Sequence, residues 1–179
     1  HMVIWITGVS GAGKTTIAEA LTSKYKRYFP NLINIDGDAI RELYGKDLDY
    51  TERSRVLQIK RIQKICMFLS KQKLIVIASA LYASAELLKW NRENFVDYLE
   101  VYLKAPLELV KKRDPKNLYK KYYAGIERNI VGLDIPWHEP KESDIEINME
   151  EALPIDMIVK KISSKIKLFK NISIESNEN

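Results

Sequence analysis

Two hydrophobic periods alternate along the chain. Short apolar runs of the kind that form buried strands occur at 3–6, 32–35, 74–78, 98–103 and 145–147. Between them, apolar residues recur every three or four positions, as amphipathic helices require, at 16–24, 39–44, 51–71, 85–95 and 154–169 and after Pro106. Strands that alternate with helices predict an α/β fold, in which a parallel sheet carries helices on both faces.

The run 74–78 is apolar on both faces and is predicted to be a central strand. The longest helix is predicted to begin at Thr51 or Ser54, either of which can cap it, and to end near Lys71. The single cysteine, Cys66, lies on the apolar face of this helix, which predicts a buried structural thiol. One cysteine excludes an internal disulfide and is typical of a reducing cytoplasm, where we expect the protein to act.

The segment 114–142 is mostly polar and lacks a long apolar period. It overlaps a dense basic run, and we predict a small basic lid at about 114–142 that closes over a bound nucleotide. A solvated loop is the alternative. The last residues, 171–179, are predicted to be a polar, mobile tail, and residues 1–2 a tag remnant. No linker or repeat interrupts the pattern, so residues 1–179 are predicted to form a single domain.

One stretch carries a specific chemical signature. Residues 8–15 read GVSGAGKT and fit G-x-x-x-x-G-K-[ST], a phosphate-cradling loop, between a predicted strand and a predicted helix. Glycines let successive backbone N–H groups face an anion, and the helix N-terminus adds partial positive charge. The predicted ATP-binding residues of this stretch are Gly8, Ser10, Gly11, Ala12, Gly13, Lys14, Thr15 and Thr16. We expect Lys14 to reach the β- and γ-phosphates and Thr15 to bind Mg²⁺.

A second candidate site, Asp36-Gly37-Asp38, ends the second predicted strand. Because the carboxyl ends of parallel strands share one edge, this turn is expected to face the phosphate loop across a crevice. Phosphoryl transfer needs a carboxylate beside the nucleophile and groups that hold metal. We favour Asp36 as the base and Asp38 as the second catalytic carboxylate. Asp36 is also assigned, together with Thr15, to the metal site. Helix capping is the alternative for this turn, and Arg41 is expected to point into the same crevice.

Composition narrows the class of ligand. The 179 residues are 46% hydrophobic and 30% charged, with a formal net charge of +5. Mild basicity suits either nucleic acid or polyanionic small molecules, and the phosphate loop favours the second class. We therefore expect ATP and Mg²⁺ as cofactors, a small-molecule nucleotide acceptor and no nucleic-acid partner. No apolar run is long enough to span a bilayer, so no membrane partner is expected either.

The remaining motifs resemble the adenylylsulfate kinase family, which phosphorylates the ribose 3′-hydroxyl of adenylylsulfate with ATP. The matching stretches are WITGVSGAGKTT (5–16), IDGDAIR (35–41), KDLDYTERSR (46–55), EVYLKAPLELVKKRDPKNLYKK (100–121) and AGIERNIVGLDIPWHEP (124–140). The resemblance covers nearly the whole chain and implies a P-loop kinase fold. It also implies that Arg113 packs on the ATP adenine, that Arg41 and Arg55 contact anionic groups of the acceptor, and that the protein forms a homodimer.

The acceptor half departs from the family pattern. Where the family holds the acceptor adenine between two phenylalanines, this sequence has Tyr50 and Ile130, so only one side of the clamp is aromatic. A family asparagine is replaced by Gln58, and the family's ISPY segment has no clear counterpart, since residues 78–82 read ASALY. The acceptor-binding residues expected from the resemblance are Asp38, Arg41, Tyr50, Arg55, Gln58, Lys116, Asn117, Leu118 and Ile130.

These departures indicate a different acceptor. The sequence more closely resembles a divergent branch of the family, the cytidine diphosphoramidate kinases of bacterial capsule modification. A smaller pyrimidine suits a contact that is aromatic on one side only, with Gln58 reading the base edge. We expect cytidine diphosphoramidate as the acceptor. Adenylylsulfate, as in sulfate assimilation, is the first alternative, and a protein that binds nucleotides without turnover is the second.

Overall fold

The protein, described as a computed structural model over residues 1–175, is built on a five-stranded parallel sheet. The strands are β1 (Met2–Thr7), β2 (Leu32–Asp36), β3 (Ile75–Ala80), β4 (Tyr98–Lys104) and β5 (Ile145–Asn148), in the order β2-β3-β1-β4-β5. Every residue of β1 and β3 is buried, which agrees with their apolar runs and central places. The predicted α/β class and parallel sheet are confirmed.

Helices connect the strands. They are α1 (Lys14–Tyr25), α2 (Gly37–Leu43), α3 (Glu52–Ser70), α4 (Ala85–Asn94), α5 (Leu107–Arg113), α6 (Leu118–Tyr123), α7 (Ile155–Ser163) and α8 (Lys167–Glu175). The crossover from β1 to β2 moves towards one edge of the sheet, and the one from β3 to β4 towards the other. Because such crossovers are right-handed, α1 and α4 lie on opposite faces, as predicted. Among residues 1–175, no helix is long and apolar enough to cross a membrane.

The start of the long helix α3 distinguishes between the two predicted caps. The Thr51 hydroxyl accepts a hydrogen bond from the Ser54 backbone N–H at 3.3 Å, so Thr51 is the cap. Cys66 is fully buried on this helix, and burial raises the pKa of its thiol to about 12, as a structural cysteine requires. The helix ends at Ser70, close to the predicted end.

Two predictions at the end of the chain need correction. The predicted closing helix 154–169 is two helices, α7 and α8, because the chain turns between them and lets Phe169 stack on Tyr25 with ring centroids 3.9 Å apart. Part of the predicted tail is helical, since α8 runs to Glu175, and 176–179 lie outside the described residues. At the other end, Met2, which the sequence analysis assigned to a tag remnant, takes part in the fold: it is 5% exposed and pairs with Ile75 in the sheet.

The predicted lid, 114–142, has two parts with different attachments. The first contains α6, a helix that the polar pattern did not predict. Its Tyr119 is buried, and the Asp114 carboxylate accepts hydrogen bonds from the backbone N–H groups of Tyr119 and Lys120, at 3.1 and 3.0 Å. The second part is a loop closed by a short bridge between Val131 and Ile135. Each part therefore has its own local support.

Candidate active site

A cavity of about 730 Å³ opens at the carboxyl ends of the strands, where sequence reasoning placed the crevice. Most of the predicted site residues line it: Ser10, Gly11, Gly13, Lys14, Thr15, Thr16, Asp36, Asp38, Arg41, Tyr50, Arg55, Gln58, Arg113, Lys116, Leu118 and Ile130. Gly8, Ala12 and Asn117 do not line the cavity. One large cavity therefore joins the predicted donor and acceptor sites.

The three exceptions have structural roles nearby. A Cβ on Gly8 would lie 2.8 Å from the Leu103 carbonyl oxygen, so only glycine lets the loop pass this close to β4. Ala12 is fully buried under the loop. Asn117 adopts a left-handed backbone, with φ 55°, immediately before α6. These residues shape the cavity from outside.

The phosphate loop is wound as an anion cradle. Gly11 and Gly13 have φ of +85° and +103°, a region that side chains with a Cβ rarely adopt. The Lys14 ammonium donates to the carbonyl oxygens of Gly8 and Val9, at 2.8 and 3.0 Å. Burial lowers the pKa of Lys14 to about 8, while the nearby Asp38 carboxylate acts in the opposite direction. The lysine is therefore held across the loop and enclosed by it.

The two carboxylates of the Asp36-Gly37-Asp38 turn differ in their contacts. Asp36 caps α2, because its Oδ1 accepts from the Asp38 N–H at 2.9 Å, while its Oδ2 accepts from the Thr15 hydroxyl at 3.4 Å. Asp38 is paired with the ammonium of Lys116 from the lid. Asp36 thus faces the phosphate loop, and Asp38 faces the lid.

Oxygen atoms from Thr15 and Asp36 suit Mg²⁺, which prefers oxygen ligands and usually keeps several waters. Within residues 1–175, no group of three or more histidine, cysteine or acidic residues could enclose a metal ion. This donor set fits a metal that is shared with substrate phosphates better than one caged by protein alone.

The end of α5 and the first part of the predicted lid are both attached to the phosphate loop. Arg113 donates to the Gly11 carbonyl oxygen at 3.3 Å, and the Tyr119 hydroxyl donates to that of Ser10 at 2.7 Å. Sequence reasoning singled out Arg113 but not Tyr119. The only signal for Tyr119 was an aromatic residue among lysines, and its role depends on a contact across 109 positions.

Two arginines organise the acceptor side. Arg41 donates to the carbonyl oxygens of Leu48 and Asp49, at 3.2 and 3.3 Å, and its guanidinium lies 4.5 Å from the centre of the Tyr50 ring. Arg55 donates to the carbonyl oxygens of Tyr50 and Asn129, at 3.2 and 2.8 Å. Burial, and then the nearby charge of Arg41, lower the pKa of Arg55 to about 10.

The hydrogen bonds of Gln58 differ from the base-edge contacts expected of it. Its amide nitrogen donates to the Gly37 carbonyl oxygen at 3.0 Å, and its amide oxygen has only a 3.5 Å contact from Arg61. The side chain is 5% exposed, so it supports the Asp36-Gly37-Asp38 turn from below. The predicted reading of a base edge by Gln58 is therefore limited to its amide oxygen and its second amide N–H.

Ile130 is a fixed wall of the cavity. It is 5% exposed, and the Asp134 carboxylate accepts from the backbone N–H groups of Asn129 and Ile130, at 2.6 and 2.7 Å. Those bonds lower the pKa of Asp134 against the opposing effect of its desolvation, which is the largest single influence. The loop that carries Ile130 is thus braced from within.

Sequence reasoning missed much of the cavity lining, which includes Ile59, Ile62, Ser79, Leu81, Tyr82, Glu127, Arg128, Asn129, Met149, Leu153, Ile155 and Ile158. Beside the phosphate loop, the Met149 methyl group would lie 3.5 Å from a Cβ on Gly13. An apolar surface of this kind suits a nucleotide base. The available signal was positional, because residues after β3 and β5 lie at the ligand-binding edge of a parallel sheet.

The chain is similar to known proteins. A model of the adenylylsulphate kinase family matches residues 1–148. The chain is 35% identical over 167 residues to the cytidine diphosphoramidate kinase of Campylobacter jejuni. The alignment covers 90% of this chain and 96% of that one. It is also 35% identical over 167 residues to the adenylyl-sulfate kinase of Gloeothece citriformis, with 92% and 93% covered.

Structural comparison agrees. The APS kinase CysC of Mycobacterium tuberculosis, solved in complex with AMPPNP and APS, is similar with a TM-score of 0.81 and 27% identity, covering 90% of this chain and 94% of that one. Family match, relatives and fold together indicate an ATP-dependent phosphotransferase that acts on a hydroxyl group. The chain belongs to the adenylylsulfate kinase family.

Proposed function

We propose that the protein transfers the γ-phosphoryl group of ATP to the ribose 3′-hydroxyl of a cytidine nucleotide, of the cytidine diphosphoramidate type. The observation that carries this proposal is the acceptor wall, in which buried Ile130 stands where the family has a phenylalanine. Loss of one stacking face weakens the binding of a purine more than that of a pyrimidine, because the bicyclic base covers more of each aromatic ring. The relative from Campylobacter jejuni, which is named for this acceptor, supports the same choice.

The donor half provides the electrostatics of transfer. Backbone N–H groups of the phosphate loop and the Lys14 ammonium, both at the cavity, would neutralise the β- and γ-phosphates. Bound Mg²⁺ would be held by Thr15 and Asp36 and would supply Lewis-acid neutralisation of phosphate charge. When phosphates enter, Lys14 exchanges its two carbonyl partners for phosphate oxygens, which are stronger acceptors.

The contacts of the carboxylates support roles that revise our expectation from sequence. Asp36 is occupied by Thr15 and by the cap of α2, whereas Asp38 makes neither contact and is paired instead with Lys116 on the lid side of the cavity. We assign the base to Asp38: it accepts the proton of the ribose hydroxyl as that oxygen attacks the γ-phosphorus. The bond from the γ-phosphorus to the bridging oxygen breaks, and ADP leaves.

Adenylylsulfate is the second candidate acceptor. It is favoured by the retention of Arg41 and Arg55 at the acceptor side, since both arginines suit any acceptor with anionic groups next to its ribose. The relative from Gloeothece citriformis is named for this activity. A protein without turnover is disfavoured because Lys14, Thr15 and both carboxylates converge on one cavity.

The decisive experiment measures ADP release by the purified protein with ATP and Mg²⁺ and one acceptor at a time. We expect a higher kcat/KM for cytidine diphosphoramidate, or for CDP as a stable substitute, than for adenylylsulfate. Product should carry the new phosphate on the 3′-oxygen, which ³¹P and ¹H spectra report. A strong preference for adenylylsulfate would leave the kinase assignment intact and overturn the acceptor. No acceptor-dependent ADP release with either compound would overturn both.

A further inference from the structure

Tyr82 is an aromatic wall of the cavity that the family comparison of motifs does not reveal. It follows β3 by two positions, lies in the ASALY segment, and is 5% exposed while lining the same cavity as Ile130 and Arg55. Neither Tyr50 nor Ile130 therefore has to supply all the contact area for an acceptor base. The acceptor half contains a second aromatic ring, from a different part of the chain.

The hydroxyl of Tyr82 is tied to the first turn of α3. It donates to Oε2 of Glu52 at 3.0 Å, and Nε2 of His138 lies 3.6 Å from the same carboxylate oxygen. The His138 ring meets the Tyr82 ring edge to face, with centroids 6.2 Å apart. Burial, followed by the Glu52 contact, raises the pKa of Tyr82 to about 12, so the hydroxyl keeps its proton and donates at neutral pH.

This contact links three separate segments that surround the acceptor half. Glu52 opens α3, and Arg55, one helical turn later, donates to the Asn129 carbonyl oxygen beside Ile130. His138 belongs to the same loop as Ile130. The first turn of α3 thus holds Tyr82 on one side and the Ile130 loop at two points.

We propose that Tyr82 is a specificity-determining residue that walls the acceptor base, and that Glu52 and His138 are positioning residues that fix its ring. The proposal rests on the kinase function proposed above and deepens it by naming what selects the base. A fixed ring favours bases that fit the part of the cavity it lines without moving it. A tyrosine that only fills the core would affect stability but would not discriminate between bases.

The test compares two acceptors on Tyr82→Leu, which removes the ring, and Tyr82→Phe, which removes only the hydroxyl. With ATP saturating, we expect Tyr82→Leu to raise the KM for CDP by about tenfold and to change the kcat/KM ratio of CDP to adenylylsulfate by at least about threefold. Tyr82→Phe should raise KM by about threefold. The KM for ATP should stay within about twofold in both variants. Equal changes for both acceptors, or none, would overturn the proposal.

The positioning role is tested through Glu52. Glu52→Ala removes the acceptor of the Tyr82 hydroxyl and should reproduce the KM of Tyr82→Phe. Glu52→Gln keeps an oxygen acceptor and should lose less than Glu52→Ala. Tyr28→Leu is the matched control, because Tyr28 is an exposed tyrosine outside the cavity lining. A wild-type KM in Glu52→Ala, together with a raised KM in Tyr82→Phe, would show that the positioning role is wrong.

A binding measurement separates this inference from the proposed function. Calorimetry on protein saturated with AMPPNP reports the affinities for CDP and adenylylsulfate without turnover. A changed affinity ratio in Tyr82→Leu with no turnover by wild type would support the inference and refute the kinase function. Turnover by wild type with an unchanged ratio in Tyr82→Leu would do the reverse. Absence of binding of both nucleotides to wild type would overturn both.

Discussion

Replacing Lys14 by methionine tests whether the phosphate loop holds a charge at a cost to stability. The Lys14 ammonium is enclosed by the loop carbonyls of Gly8 and Val9, and burial lowers its pKa from 10.5 to about 8. A pKa difference of this size corresponds to at most about 3 kcal/mol of destabilisation of the charged form. Because the side chain is only half-buried by exposed area, we expect about 1–3 kcal/mol.

The direction in which stability changes with pH follows from proton linkage. Between pH 8 and 10.5 the unfolded chain binds more protons at this position than the folded protein does, so folding becomes more favourable as pH rises. Below pH 8 the cost is fully present, and above pH 10.5 it is gone. Lys14→Met has no such group. The stability of wild type relative to Lys14→Met should therefore increase by about 1–3 kcal/mol over this range.

The assay is urea unfolding of both proteins at several pH values from 7 to 10.5, in buffers free of phosphate and sulfate, which would bind the loop. Lys24→Met, at an exposed position of the same helix, is the control for loss of one positive charge. Turnover of Lys14→Met should fall by at least about 10³-fold, because a charge that stabilises the transferring phosphoryl group is lost. Parallel stability curves for wild type and Lys14→Met would refute the reasoning.

Four further substitutions test the site. Asp38→Asn should lower kcat by at least about 10³-fold with little change in the KM for ATP. Asp36→Asn should instead raise the Mg²⁺ concentration needed for the half-maximal rate. If steady-state kinetics gave each variant the result expected for the other, the two proposed roles would be reversed. Ile130→Phe should shift the kcat/KM ratio towards adenylylsulfate by about tenfold and, because the site is buried, cost about 1–3 kcal/mol in urea unfolding. An unchanged ratio would argue against selection by this wall. Gly8→Ala should weaken ATP binding in calorimetry by at least about tenfold, since its Cβ would clash with the Leu103 carbonyl oxygen. An affinity for ATP equal to that of wild type would contradict the need for glycine at this close contact.

Local patterns predicted the elements that are determined locally. The central strands were evident because parallel strands with two covered faces need continuous apolar runs, as in 74–78. The phosphate loop and the Asp36-Gly37-Asp38 turn were placed together because each follows a strand of one parallel sheet. For these parts, sequence order and topology are sufficient to put the side chains in one cavity.

Features that depend on distant contacts could not be predicted. Helix α6 has no apolar period, and its support comes from Asp114 and from the bond between Tyr119 and Ser10. The contacts of Tyr82 likewise depend on Glu52 and His138, which are separated by many positions and meet at its ring. Neither set of contacts leaves a periodic signal in the sequence. The different contacts of Asp36 and Asp38 could not be predicted either, since both residues occur in one three-residue turn.

The contacts of two lysines in the cavity extend the proposed mechanism to a coupling of its two halves. Lys14 is held by loop carbonyls and Lys116 by Asp38, so each of these two cations has a protein partner. Under the proposed mechanism, a donor phosphate would release Lys14 from its carbonyl groups, and an acceptor that attracts Lys116 would free the carboxylate of Asp38 for the ribose hydroxyl. A suitably anionic acceptor would therefore make the proposed base more available, which would limit loss of ATP to water. This proposed coupling would require lysine at position 116, and it would make the anionic group of the acceptor contribute to turnover as well as to binding.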